Sequence, residues 1–170
     1  MKFFLAFLKP MSAIKCKSER VVYQNPPVVG VIPPLSQVAI VGNVLYVSGQ
    51  EGFRPDGTIS NDTRERIRQA FRNVKNIAQY YNTNLQNVVR NVVYITGAAD
   101  SNEFSAVRAI VNEVQAEPEF WGPGPYPPRS ILGVRWLANQ EVLENPIIVE
   151  VESTINLVEK KVPQCVRKCC

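Results

Sequence analysis

Residues 62–95 read DTRERIRQAFRNVKNIAQYYNTNLQNVVRNVVYI, and within this stretch the hydrophobic period changes. Ile67, Ala70, Phe71, Val74, Ile77, Ala78 and Tyr81 recur at intervals of three and four, which predicts one apolar stripe along a helix of about five turns. Asp62 or Thr63 is placed to cap it, and Asn82 to Asn84 ends it. Arg64, Arg68, Arg72 and Lys75 fall mostly off the stripe. Val88–Ile95 follows as a β-rich run with no glycine or proline, the pattern of a central strand.

The same tests extend outward in both directions. Val21–Tyr23 predicts a short first strand, closed by Asn25-Pro26-Pro27. Gln37–Val41 and Val44–Ser48 predict a hairpin around Gly42-Asn43, although the commoner order at such a turn is Asn-Gly. Downstream, Phe104, Val107, Ile110, Val111 and Val114 mark a second amphipathic helix, capped by Ser101 or Asn102 and stopped by Pro118. A stiff loop with five prolines and two glycines fills 118–128. Strands are predicted at Ser130–Trp136 and Ile147–Ile155. The order β-β-β-α-β-α-β-β has two long helices and no continuous βαβ repeat, so the fold class is α+β, a mixed β-sheet packed on two long helices. One face of such a sheet stays uncovered in a monomer, and self-association is its natural completion.

Bulk properties bound the function. The 170 residues suit one domain, taken as 20–157, between an N-terminal extension (1–19) and a basic, Cys-containing C-terminal tail (158–170). The formal charge of +4 lies in the ends. Residues 1–20 carry a net +4 and 159–170 a net +3, leaving −3 for the body, so no basic stripe invites specific nucleic-acid binding. No apolar run is long enough for a transmembrane segment. The apolar run Phe3–Leu8 is short for a secretory signal, and reads better as a lead-in before Met11. Cys16, Cys165, Cys169 and Cys170 all lie near the termini. A body free of cysteine fits a reducing compartment, and the chain is expected to be cytoplasmic.

The residues that could carry chemistry are few. There is no histidine, hence no histidine base, no serine–histidine–aspartate triad and no histidine-bound metal. No glycine-rich phosphate loop appears. On the last strand, alternation puts Ile148, Glu150 and Glu152 on one face and Ile147, Val149, Val151 and Ser153 on the other. The two carboxylates are then about 6.6 Å apart along the strand. Either Glu150 meets a structural arginine such as Arg129 or Arg135, or it lines a wet cleft. Pattern alone leaves both open, since burying a lone carboxylate is costly. Arg129, in Tyr126-Pro127-Pro128-Arg129-Ser130, is equally able to hold a substrate carboxylate in a bidentate pair or to bridge an oligomer interface.

Several segments, taken together, resemble the RidA (YjgF) family of proteins acting on reactive enamines and imines. They are Ile32-Pro33-Pro34-Leu35-Ser36-Gln37, Val47-Ser48-Gly49-Gln50, Arg68–Asn73, Val88–Thr96, Phe104 with Val107, Pro128-Arg129-Ser130 and Val149-Glu150-Val151-Glu152. The resemblance implies a chorismate-mutase-like fold assembled as a homotrimer, with a small-molecule substrate in clefts between subunits and no cofactor or metal. It places Arg129 on the substrate carboxylate and Glu150 beside the hydrolytic water. Ser48 and Gly49 fall near the cleft, and Asn91 on a strand that lines it. Where the family commonly has Gly-Pro-Tyr-Ser-Gln, this chain has Pro33-Pro34-Leu35-Ser36-Gln37. The cysteine some members carry two residues after the arginine is Ile131. With Trp121 in the long loop, Leu35 and Ile131 imply a larger, less polar pocket. The implied activity is hydrolytic deamination of a carboxylate-bearing imine or enamine to a 2-oxo acid and ammonia. The alternatives are an isomerase or cyclase acting on a bulky intermediate of secondary metabolism, and a non-catalytic trimeric ligand-binding protein.

Overall fold

The computed structural model describes residues 20–30, 34–96, 101–137 and 149–157. The expectations for both termini, for Ile32 and Pro33, and for Ile147 and Ile148 lie outside these residues. Strands β1 (Val22–Gln24), β2 (Val38–Val41) and β3 (Val44–Gln50) come first, followed by helix α1 (Thr63–Tyr80). A 3-10 turn (Leu85–Asn87), β4 (Val88–Ile95), α2 (Ser101–Gln115), β5 (Arg129–Gly133) and β6 (Val149–Asn156) complete the order. It is the predicted order. The main difference is β5, which ends at Gly133 rather than at Trp136.

The six strands form one mixed sheet in the order β1-β2-β3-β6-β4-β5. Its neighbours are antiparallel except β4 and β5, which run parallel from Asn91 beside Arg129 to Ile95 beside Gly133. At the β2–β3 hairpin, Gly42 takes the first central position with φ 58°. A leading glycine at positive φ is what a II′ turn requires, which explains the Gly-Asn order. Asp62 caps α1 by accepting from Glu65 N–H at 2.7 Å, and Asn82 closes it in the left-handed region at φ 57°.

Helix α1 covers one face of the sheet, packing across β3 and β6 and against α2. Its apolar stripe, with Ile67, Phe71, Val74 and Ile77 wholly buried, meets Leu45, Val93, Val151 and Ile155 from the sheet. Phe71 anchors the far side. Its ring lies 5.6 Å from Phe120 and 5.8 Å, edge-on, from Trp121. The arginines off the stripe face acids brought in by the end of α2 and the turn beyond it. Arg64 bridges Glu113, Arg68 bridges Glu117 at 2.7 Å, and Arg72 holds both Glu65 and Glu119. These pairs are partly exposed, so each adds little and together they fix the register of the two helices.

Replacing Phe71 with alanine is therefore expected to cost about 3–5 kcal/mol in urea unfolding, because a ring packed on two aromatics leaves a cavity. Arg68→Ala is expected to cost under about 1 kcal/mol. Equal losses would contradict this division of labour.

Candidate functional site

Strand alternation sorts the chemistry onto two faces. In β6, Val149, Val151, Ser153 and Ile155 are buried against the helices, while Glu150, Glu152 and Thr154 are half-exposed on the uncovered side. In β4, Asn91, Val93 and Ile95 point to the helices, and Val92 and Tyr94 share the uncovered face with the glutamates. Register carries the pattern into β5, where Arg129 and Ile131 fall in line with Asn91 and Val93 on the helix side. Arg129 and Glu150 thus lie on opposite faces of the sheet of one chain.

On the uncovered face, Glu150 stands over Gly49 of β3. A β-carbon at position 49 would collide with the Glu150 carboxyl group, so glycine is the residue that lets the carboxylate lie there. An irregularity in the β3–β6 register between Val47 and Gln50 places Ser48 and Gly49 together opposite this strand. A buried bond from Gln50 Nε2 to Gln37 Oε1, 2.9 Å, ties the end of β3 to the preceding loop. Ser48 N–H donates to Gln37 O at 2.9 Å. The two glutamines thereby hold the Ser48–Gly49 segment from behind. Among the described residues the Glu150 carboxylate has no cationic partner. Burial raises its pKa above the usual carboxylate value, and the neighbouring Glu152 pushes it further the same way. Tyr94, paired across from Glu150, donates its hydroxyl to Glu152 at 3.1 Å. A hollow of about 580 Å³ lies on this face, bordered by Leu35, Tyr46, Ser48, Arg90, Val92 and Glu152. Leu35 is 66% exposed there.

On the other side, Arg129 reaches the end of α2. Its Nη1 donates to Gln115 Oε1 and its Nη2 to Asn112 Oδ1, 2.5 Å away. Asn112, Gln115, Tyr126, Pro127 and Arg129 line a hollow of about 320 Å³. Among the described residues Arg129 has no carboxylate partner. Burial lowers its proton affinity and the nearby Arg108 adds to that effect, yet a guanidinium stays charged. The result is a partly buried cation, held by neutral oxygens, at the sheet's edge strand.

Two expected site residues are elsewhere. Trp121 is 6% exposed; its Nε1 donates to Leu85 O at 3.1 Å and its ring packs on Phe71, so it is built into the core, and it borders a separate hollow of about 280 Å³ with Tyr126 and Pro127 rather than the Arg129 hollow. A large apolar side chain next to Phe120, just past a helix end, fills the gap under that end. Asn91 is sealed beneath the helices. Its Oδ1 accepts from Ser153 Oγ at 2.7 Å, and among the described residues no partner meets its Nδ2. The inward phase of β4 puts it there. Ile131 is half-buried against the core. Sequence reasoning missed Asn112, Gln115 and Tyr94. The signal for the first two was an i, i+3 pair of amides near the end of α2, Asn112 exposed and Gln115 buried. Among the described residues, no three His, Cys, Asp or Glu side chains gather as metal ligands. None of their helices is long and apolar enough to cross a membrane.

Comparison with known proteins agrees with this fold. Residues 28–152 match the family model described as Endoribonuclease L-PSP. A 2-iminobutanoate/2-iminopropanoate deaminase of Dermatophagoides farinae is 30% identical over 123 residues, 71% of this chain and 88% of that protein. The mitochondrial protein MMF1 of Saccharomyces cerevisiae is 31% identical over 126 residues, 74% of each chain. A probable translation initiation inhibitor from Rhodopseudomonas palustris superposes with a TM-score of 0.67 at 26% identity, covering 81% of this chain and 98% of its own. The RidA protein of an Antarctic Psychrobacter gives 0.62 at 28% identity, covering 79% and 97%.

The raised proton affinity of Glu150 carries a stability prediction with a definite sign. A carboxyl whose folded pKa exceeds its unfolded value favours the fold below the unfolded value, near 4.5, and loses that contribution as pH rises through the folded one. Glu150→Gln should therefore melt above the wild type at pH 7, with the advantage vanishing below about pH 4. Melting curves at the two pH values test this, and an advantage that persists in acid would refute it.

Proposed function

The chain belongs to the Endoribonuclease L-PSP family, the RidA/YjgF proteins, and from that premise we propose that it hydrolyses a carboxylate-bearing imine to a 2-oxo acid and ammonia. The observation that carries the reading is Arg129, a half-buried guanidinium with no carboxylate partner among the described residues, opening on a hollow. Such a group is suited to gripping a substrate carboxylate through a bidentate pair. Glu150, with its proton affinity raised by burial, is a stronger base than an ordinary carboxylate and is suited to taking a proton from water.

In the reaction the enamine first tautomerises to the imine. Water then adds to the carbon of the protonated imine as Glu150 accepts one of its protons, forming a neutral carbinolamine. Glu150 returns that proton to nitrogen, making ammonia the leaving group, and as the carbon–nitrogen bond breaks the hydroxyl proton passes to solvent, leaving the 2-oxo acid and ammonia. Arg129 binds the carboxylate throughout, so the attacked carbon is held at a fixed distance from it. Gly49 lies against the Glu150 carboxyl group, and Ser48 and Leu35 line the hollow beside Glu152 on the same face. The reaction needs no cofactor, and we place the protein in the cytoplasm.

The opposite facing of Arg129 and Glu150 fits a site shared between subunits of a homotrimer. Arg129 lies on the edge strand and Glu150 on an inner strand of the uncovered face. A neighbour that lays its β5 edge over that face brings its own Arg129 to this Glu150, and covers the exposed Tyr46, Leu35 and Tyr23. The nuclease in the family description finds less support in the chain itself, which has no histidine and whose α1 arginines 64, 68 and 72 are engaged by glutamates.

Ammonia and pyruvate release from freshly generated 2-aminoacrylate is the test. The wild type should outpace the buffer reaction, and Arg129→Ala or Glu150→Gln should each lose about 100-fold or more. Co-refolding the two inactive variants in equal amounts should restore about a quarter of the activity, since mixed trimers then contain sites with both groups intact. No turnover by the wild type would overturn the deaminase reading. Inactive mixtures would overturn the shared site.

A further inference from the structure

The cation that this reading assigns to the substrate carboxylate is itself held in an unusual way, by two neutral amides. Asn112 and Gln115 lie one turn apart on α2, and both turn a side-chain oxygen toward the same guanidinium. Gln115 is 3% exposed, so its bond is made in a dry environment, whereas Asn112 stands at the surface. Gln115 is also the last residue of the helix, where the peptide dipoles present a partial negative charge to a cation. Among the described residues, the charged group that perturbs the proton affinity of Arg129 is a second cation, Arg108.

We propose that Asn112 and Gln115 are positioning residues that aim Arg129 into the hollow while leaving its charge unneutralised, so that the carboxylate of the substrate is the first anion it meets. The inference rests on the functional reading above and adds the residues that set the strength of anion binding. An amide oxygen accepts a guanidinium hydrogen bond with good directionality and brings no net charge. A carboxylate at either position would make a charge-assisted pair instead, and a substrate would then have to displace it. Tyr126 and Pro127 close the other side of the hollow. This arrangement explains why a half-buried arginine here needs no acidic partner. The amides satisfy part of its hydrogen bonding, the helix end offsets part of its charge, and the ligand completes both.

A purely structural role and a positioning role predict different signs when a carboxylate is introduced. Asn112→Asp is the informative change, because position 112 is exposed and the variant should fold. Calorimetric binding of pyruvate to the full chain is the probe, with melting temperature measured alongside. Asn112→Asp is expected to weaken pyruvate binding by about tenfold or more while leaving the melting temperature unchanged or higher, since it gains an ion pair as it loses the ligand. Asn112→Ala should weaken binding only a few-fold, with no gain in stability. Gln115→Glu should weaken pyruvate binding as Asn112→Asp does, from the buried side. Wild-type binding of pyruvate that Asn112→Asp leaves intact overturns the inference alone, and so does a loss of binding that tracks a loss of stability. Absence of pyruvate binding by the wild type overturns the reading of Arg129 and the inference together.

Discussion

The alternation of β6 is the constraint on which the rest of the molecule depends. Val149, Val151 and Ile155 enter the core, while Glu150 and Glu152, one residue out of phase, stay on the uncovered face. A slip of one residue would drive two carboxylates under α1 and strip the core of three aliphatic side chains, so the register is strongly specified. The strand is also flanked on both sides, by β3 and by β4, and each neighbour inherits the same phase. Once β6 is fixed, Gly49 must lie beside Glu150, Tyr94 must lie opposite it, and Asn91 must face inward. Through the parallel pairing of β4 with β5, Arg129 must then face the helices.

Much of this was legible in the sequence, because the signals are periodic. The stripe on residues 67–81, the uninterrupted run 88–95 and the alternation at 149–153 each follow from one physical rule, and each came out as read. What alternation alone could not say was which side of β4 and β5 belonged to which side of β6. That depends on strand order and register, which have no local signature. Asn91 illustrates the gap: its strand was recognised, but its inward phase was set by pairing with Ser153. Trp121 illustrates another. A tryptophan in a loop rich in proline and glycine resembles a ligand contact, yet the loop packs it against Phe71 and Leu85, and the core claims it. Asn112 and Gln115 gave only the faintest cue, since two amides three residues apart on a helix are common and acquire meaning only when an arginine from elsewhere reaches them.

The two candidate groups differ in how each is kept reactive. Arg129 is held by directional bonds that it donates to α2, and its position is therefore coupled to the same helix that the Glu113 ion pair, and the Glu117 pair just beyond it, lock to α1. Glu150 depends instead on the missing side chain at Gly49 and on the strand beneath it. A rigid cation and a carboxylate free to gain and lose a proton form a sensible division for hydrolysis, in which the substrate must stay still while the water is activated.

Glu152 adds a further step to that logic. It is two residues from Glu150 on the same face, and the two negative charges repel, which is part of why Glu150 binds its proton more tightly. The Tyr94 hydroxyl donates to Glu152 and not to Glu150. Among the described residues Glu150 has no such donor, and burial together with the neighbouring charge of Glu152 raises its proton affinity. Burial within the chain is the larger cause and works in the same direction, because a carboxylate partly out of water holds its proton more tightly. A cation brought beside Glu150 would act the other way and favour its ionised form, so the proton affinity of this group is set by how dry the face is and by which charge faces it.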